Sequence, residues 1–246
     1  MLPRFHAPQL TGADASVTLD AEQSHHLVRV LRLSEGELVR VFDGRGREWE
    51  GTVVSGDRRA AVIGHLRPVT PLAEPPVRLT LLAAVLRGGA MDTLVHDATM
   101  TGVARLVPVL SARVSVGRRD EALRAAHARW QRVALAATRQ CGRAMLPSIA
   151  DPVPLVEVLG REAGGVRLWL AEPRLAAGGL RRVDALAARA RAEGAVLAIG
   201  PEGGWTEAEL AQAREAGFVP WSLGSLVLRA EHVPLAAMSV LRYAWD

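Results

Sequence analysis

"AIGPEGGWTEAEL", residues 198–210, passes through three kinds of local structure in thirteen positions. An apolar run ends at Ile199, Gly200-Pro201-Glu202-Gly203-Gly204 makes a tight turn, and Thr206 with Glu209 three residues on has the spacing of a helix-starting capping box. Strand, turn and helix in that order form the unit of an open parallel sheet, where ligands bind outside the carboxyl ends of the strands. Three glycines in five positions allow left-handed backbone and let a ligand approach the main chain closely. The turn lacks both the G-x-G-x-x-G spacing and a P-loop lysine, and it puts Glu202 where a phosphate would be repelled. A ligand with a positive centre, or with hydroxyls and an amine needing acceptors, suits it better. The alternative is a turn that only joins strand to helix.

The same rhythm extends outward from the turn. Near-continuous apolar runs at 77–86, 105–110, 166–171, 195–200 and 218–224 alternate with helical patterns at 90–101, 121–140, 182–193, 206–216 and 235–245. Such strands are buried on both faces, as in a parallel sheet covered by helices. Upstream, "RPVTPLAEPPV" (67–77) has four prolines in eleven positions and breaks any regular element. Before it, residues 38–54 place apolar runs on either side of the hairpin turn "DGRG", "AAVIGHL" (60–66) reads as another short strand, and 21–33 has near-helical spacing. The expected fold is α/β, with a small β-barrel domain at 1–70 and a parallel-sheet domain at 77–246.

Composition narrows the class. Hydrophobic residues make up 49% of 246, yet the longest apolar stretch falls far short of the roughly 20 residues that cross a bilayer. "MLPRFHAPQL" has no charged segment leading into an apolar one, so no export signal and a cytoplasmic location are expected. The lone Cys141 excludes an intrachain disulfide and a cysteine-based zinc cluster. Adjacent His25 and His26 would point about 100° apart on a helix without a third ligand, so no metal is expected. The 30 basic side chains are all arginine, and lysine and asparagine are absent, the pattern of a G+C-rich coding sequence. A net charge of +4 is therefore only mild support for a polyanionic partner. The arginines gather at Arg29, Arg32, Arg40, Arg45 and Arg47, at Arg113, Arg118 and Arg119, and along Arg124 to Arg143. Their planar forks suit phosphate oxygens.

A second stretch, "LGSLVLRAEHVPLAA" (223–237), again ends a short strand with glycine and delivers Arg229 and Glu231 ahead of the last helix. Two neighbouring strand ends, each with a glycine and an acid, can line one pocket. Together "IGPEGGWTEAEL" and "LGSLVLRAE" resemble the paired cofactor-loop signatures of the SPOUT-class RNA methyltransferases, specifically the ribosomal RNA small subunit methyltransferase E family. "RFHAP" and "HHLVRVLRLSEGELVRVFDGRG" resemble that family's PUA-like barrel, and "WQRVALAATRQCGRAMLP" resembles its central helix end, so the likeness spans practically the whole chain.

The resemblance implies a C-terminal SPOUT-type sheet with a trefoil knot, a PUA-like RNA-binding barrel, a homodimer, the cofactor S-adenosyl-L-methionine, and methylation at N3 of a 16S rRNA uridine in the small ribosomal subunit. It implies cofactor contacts at Leu170 and Ala171, at Ile199, Gly200, Pro201, Glu202, Gly203 and Gly204, and at Leu223, Gly224, Leu228 and Arg229. Arg229 is the candidate for stabilising a uracil anion or gripping a phosphate, and Glu231 for orienting Arg229 or accepting a proton. Arg4, Arg29, Arg32 and Arg143 are assigned to RNA. The chain departs from the family pattern at Ala90 and Asp97, where relatives carry lysine, and at Met100, Arg139 and His232. These departures keep open a SPOUT-fold RNA-binding protein that has lost activity or methylates another RNA.

Overall fold

The computed structural model describes residues 2–12, 14–113, 120–161, 165–170 and 183–246. The chain divides into two compact units, residues 1–74 with 135–146 and residues 75–134 with 147–246.

The first unit is built on strands β1 (Arg4–His6), β2 (Ser16–Thr18), β3 (Leu38–Phe42), β4 (Glu48–Ser55) and β5 (Val62–Val69), in the order β1-β3-β4-β5-β2. β1 runs parallel to β3 and the other pairings are antiparallel. No pairing joins the outer strands β1 and β2 among the described residues, so the sheet is an open half-barrel. Alternation along the strands sends Phe5, Val39, Val41, Trp49 and Ile63 into one core with Leu19 and Leu27. Helix α1 (Ala21–His25) starts at Asp20, whose carboxylate accepts the Gln23 amide at 2.8 Å. It widens into a π-helical turn (His26–Val30) and stops short of residue 33, where periodicity placed its end, because Arg32 takes a left-handed φ of 56°.

At the β3–β4 hairpin the Asp43 carboxylate, 1% exposed, accepts the amides of Arg45 and Arg47 at 2.8 and 3.0 Å and the Arg47 Nε at 2.7 Å. Burial works to raise its pKa, but those donors outweigh it and hold the carboxyl below its ordinary value. The folded value lies below the unfolded one, so this stabilisation is complete above the unfolded carboxylate pKa and is lost as pH falls through the folded value. In denaturant titrations, the stability difference between wild type and Asp43→Asn is expected to be constant at neutral pH and to shrink below about pH 4.

Two of the four arginines assigned to RNA are buried, which corrects that assignment. Arg4 is 6% exposed; its Nε bonds Glu48 Oε1 at 2.8 Å, while its Nη atoms donate to the carbonyls of Thr138, Arg139 and Arg143 at 3.0, 3.3 and 2.9 Å. It therefore caps the C-terminal end of helix α3 (Asp120–Cys141), whose last carbonyls lack partners within the helix. Arg143, 7% exposed, bonds Glu74 through Nε and Nη2, the latter at 2.6 Å. Arg29 and Arg32 are exposed. This capping also explains why residues 135–146 count with the first unit although they follow the proline-rich run by some sixty positions.

The second unit holds parallel strands β6 (Leu79–Ala84), β7 (Arg105–Leu110), β8 (Ser148–Ile149), β9 (Val153–Pro154), β10 (Val166–Leu170), β11 (Ala195–Ile199) and β12 (Val219–Trp221). Their order is β12-β10-β11-β6-β7-β8, with β9 also on β7. Helices α4 (Leu155–Arg161) and α6 (Glu207–Glu215) pack on this sheet through Leu155, Val158, Leu210 and Ala213 against Leu82, Val107, Trp169 and Val196. Helix α7 (Val233–Trp245) packs against α2 (Gly89–Met100) and α5 (Ala187–Glu193). Arg242 on α7 donates to the carbonyls of Val77, Thr101 and Gly102, and the Trp245 indole donates to the Val183 carbonyl at 2.8 Å. α7 begins at Val233 rather than at residue 235, because Pro234 falls in its first turn, where no intrahelical amide is needed. Every residue of β11 is buried, as its unbroken apolar run requires. No helix among the described residues is long and apolar enough to cross a membrane.

Candidate active site

β10, β11 and β12 lie side by side in parallel register, so Leu170, Ile199 and Trp221 bring three strand ends to one edge of the sheet. Beyond Ile199 the chain turns at once, the Gly204 amide donating to the Pro201 carbonyl at 2.9 Å with Gly204 at φ 68°. Thr206 then caps α6 and Glu209 completes the box, its Oε2 accepting the Thr206 amide and hydroxyl at 2.8 Å each. The other carboxylate oxygen accepts the Ala112 amide at 2.8 Å, tying the end of β7 to the start of α6. Glu209 is 8% exposed, so Glu209→Ala strips the cap and leaves that amide without its acceptor. A loss of about 2 kcal/mol in urea unfolding is expected.

Beyond β12, the Ser222 hydroxyl donates to the Gly224 carbonyl at 3.0 Å and accepts the Gly224 amide at 3.2 Å, with Gly224 at φ 130°. The chain then runs through exposed Leu226, Val227 and Leu228 into a 3-10 turn at Ala230–His232, with the His232 amide bonded to the Arg229 carbonyl at 3.0 Å.

These two loops enclose a cavity of about 590 Å³, within the range usual for small-molecule sites. Of the residues assigned to the site, Leu170, Ile199, Gly200, Pro201, Glu202, Gly204, Leu223, Leu228, Arg229 and Glu231 lie on its wall. Gly203 and Gly224 lie off the wall, and Ala171 falls outside the described residues. Arg229 is 84% exposed at the side chain and its Nη1 stands 4.0 Å from Glu231 Oε1, whose side chain is 18% exposed.

Among the wall residues that sequence reasoning missed are Trp169, Trp205, Leu210, Arg214 and Ser222. Leu210 and Arg214 were within reach, since they follow Thr206 at successive steps of four and so share one helix face. The Arg214 guanidinium lies over the Trp169 ring, 5.2 Å from its centroid. The indole nitrogens of Trp169 and Trp205 are buried without a hydrogen-bond partner. Ala90, at the start of α2, is on the wall. Asp97 is largely buried and its carboxylate is 3.0 Å from His96 Nδ1, while His232 is exposed.

Residues 73–242 match an RNA methyltransferase domain family and residues 19–64 an RNA methyltransferase PUA domain. The chain is 33% identical over 232 residues to ribosomal RNA small subunit methyltransferase E of Synechocystis, covering 92% of this chain and 72% of that one. The chain belongs to the ribosomal RNA small subunit methyltransferase E family. Among solved structures, the Neisseria gonorrhoeae member bound to S-adenosyl methionine superposes with a TM-score of 0.90 at 30% identity, over all of this chain and 98% of that one. A methyltransferase from Legionella pneumophila in complex with the same cofactor does so at 0.90 and 27% identity, over 99% and 98%.

Proposed function

We propose that this protein is an S-adenosyl-L-methionine-dependent methyltransferase that modifies N3 of one uridine in 16S rRNA of the small ribosomal subunit. The observation that carries the reading is that the GPEGG turn and the LGSLVLRAE segment close on one cavity. The wall fits the cofactor's parts. Leu170, Ile199, Leu223 and Leu228 offer apolar surface for a flat heterocycle, and main chain freed of side chains at Gly200 and Gly204 leaves amides and carbonyls within reach. Glu202 and Glu231 suit an ammonium or a sulfonium, while the unpartnered indole donors of Trp169 and Trp205 await acceptors. When bound, the cofactor supplies an electrophilic methyl group on a positively charged sulfur.

The residues of the chain have the remaining work. Placing the uracil nitrogen in line with that methyl is the main contribution, because positioning alone can carry several kcal/mol of a barrier. N3 sits on the pairing edge and bears a proton, so the base has to be unpaired and the proton lost. Arg229 stays cationic and stabilises the negative charge that builds on the uracil, or holds a neighbouring phosphate. Glu231 orients Arg229 or takes the proton. In this reading the first unit, residues 1–70 by its sequence boundaries, holds the RNA through exposed Arg29 and Arg32, and the second, 77–246, carries the knotted catalytic sheet. The apolar side chains of Leu226, Val227 and Tyr243, 81%, 79% and 94% exposed, suit burial against a second copy in a homodimer. A cytoplasmic location goes with ribosomal RNA as substrate.

Calorimetric titration with S-adenosyl-L-methionine tests the first half, and absence of binding removes it. Incubating undermethylated small subunits with methyl-labelled cofactor and mapping the product tests the second; label at any atom other than a 16S rRNA uridine N3 refutes the substrate. Ala90 on the cavity wall, where the family pattern implies lysine, favours one competing reading, an RNA-binding protein without transferase activity. That reading requires RNA binding with no label transferred to any RNA.

A further inference from the structure

Gly203 belongs to the cofactor turn by sequence, yet it is not among the residues of the cavity wall. Its carbonyl is held instead from outside, by Arg113 Nη1 at 2.5 Å. A Cβ built on Gly203 would lie 3.5 Å from Arg113 Cδ and 3.7 Å from its Cβ, so the aliphatic stem of Arg113 also covers this side of the turn. The residue before it, Ala112, donates its amide to Glu209. Two consecutive residues just past β7 thus reach the turn's outer face and the helix cap that follows it.

We infer that Arg113 is a positioning residue that sets the cofactor turn in its binding conformation. The turn itself has little to hold it. Its internal tie is the Gly204-to-Pro201 bond, and glycine main chain loses more freedom on ordering than any other residue. The helix side is fixed independently by Thr206 and Glu209, which leaves residues 202–204 as the part that a missing guanidinium would free. Arg113 is exposed and does not itself line the cavity, so it acts on the ligand through the turn's order, the kind of contribution that raises affinity by preorganisation. Arginine donates here as a charged group to a neutral carbonyl, a bond that lysine can replace in charge but not in planar reach.

The inference rests on the cavity being the S-adenosyl-L-methionine site, and the test separates the two. Wild type, Arg113→Ala and Arg113→Lys are titrated with S-adenosyl-L-methionine, and their thermal unfolding without cofactor and their steady-state methylation of undermethylated small subunits are measured. The expected result is a Kd and a cofactor KM raised about three- to tenfold in Arg113→Ala, an unchanged kcat at saturating cofactor, partial recovery in Arg113→Lys, and an unfolding midpoint equal to wild type. Equal Kd in Arg113→Ala and wild type overturns the inference while leaving the site intact. A weakened Kd accompanied by a matching fall in the unfolding midpoint also overturns it, since Arg113 would then only support the fold. If wild type itself fails to bind, it is the cofactor assignment that falls.

Discussion

The Gly200→Leu variant is expected to bind S-adenosyl-L-methionine about a hundredfold more weakly than wild type while keeping its circular dichroism spectrum. A Cβ at residue 200 would lie 2.9 Å from Trp205 Nε1, closer than real Cβ contacts come, and 3.1 and 3.2 Å from Cε2 and Cδ1, tighter than most. Either the indole swings into the cavity or the new side chain occupies it, because residues 200 and 205 share its wall. Overpacking of this kind costs about 1–3 kcal/mol, and the upper end corresponds to the hundredfold loss. Gly200→Ala should fall between the two proteins. Adding Trp205→Ala to Gly200→Ala removes the obstructing ring, so the double variant should lose less than the two single losses combined. Strict additivity in that cycle would contradict the steric account.

The second large effect concerns stability. Arg4→Ala is expected to lower the unfolding free energy of the first unit by about 3–5 kcal/mol, a large share of what such a unit has. The Arg4 and Glu48 side chains are 3% and 1% exposed, so truncating one leaves the other charge buried, with Arg40 Nη1 at 3.7 Å the remaining ion-pair partner of Glu48 among the described residues. The same change uncaps α3 at the Thr138 and Arg139 carbonyls, frees the Arg143 carbonyl just beyond the helix, and removes the guanidinium from over the Phe42 ring. Replacing both partners, as Arg4→Met with Glu48→Leu, should cost less than Arg4→Ala alone, because no charge is then stranded. Urea unfolding of wild type and the two variants decides the matter. A surface role for Arg4 predicts a loss below 1 kcal/mol and is incompatible with the larger value.

The parallel sheet was legible because its strands are buried on both faces. A run such as 195–199 needs no partner to announce itself, and the capping box at Thr206 and Glu209 is a local hydrogen-bonded motif whose spacing is written in the chain. Half of the cavity-wall residues were assigned through the family resemblance, several of them at or just past the ends of β10 and β11. The short elements were not legible. β1, β2, β8 and β9 have two or three residues each, too few for a period of two to register, and they exist only because longer neighbours pair with them.

By itself, then, the amino-acid sequence determined the alternation of strand and helix, the glycine turn with its capped helix, and the family to which the chain belongs. Only the tertiary structure decided what each charged group does. The same residue type is exposed at Arg29, locked under a helix end at Arg4, stacked on an indole at Arg214 and clamped to a turn at Arg113. A guanidinium carries the same charge and donors wherever it stands. Its role follows from which carbonyls, rings and carboxylates the fold brings within about 3–5 Å, and those partners lie as far as 165 residues away in the chain.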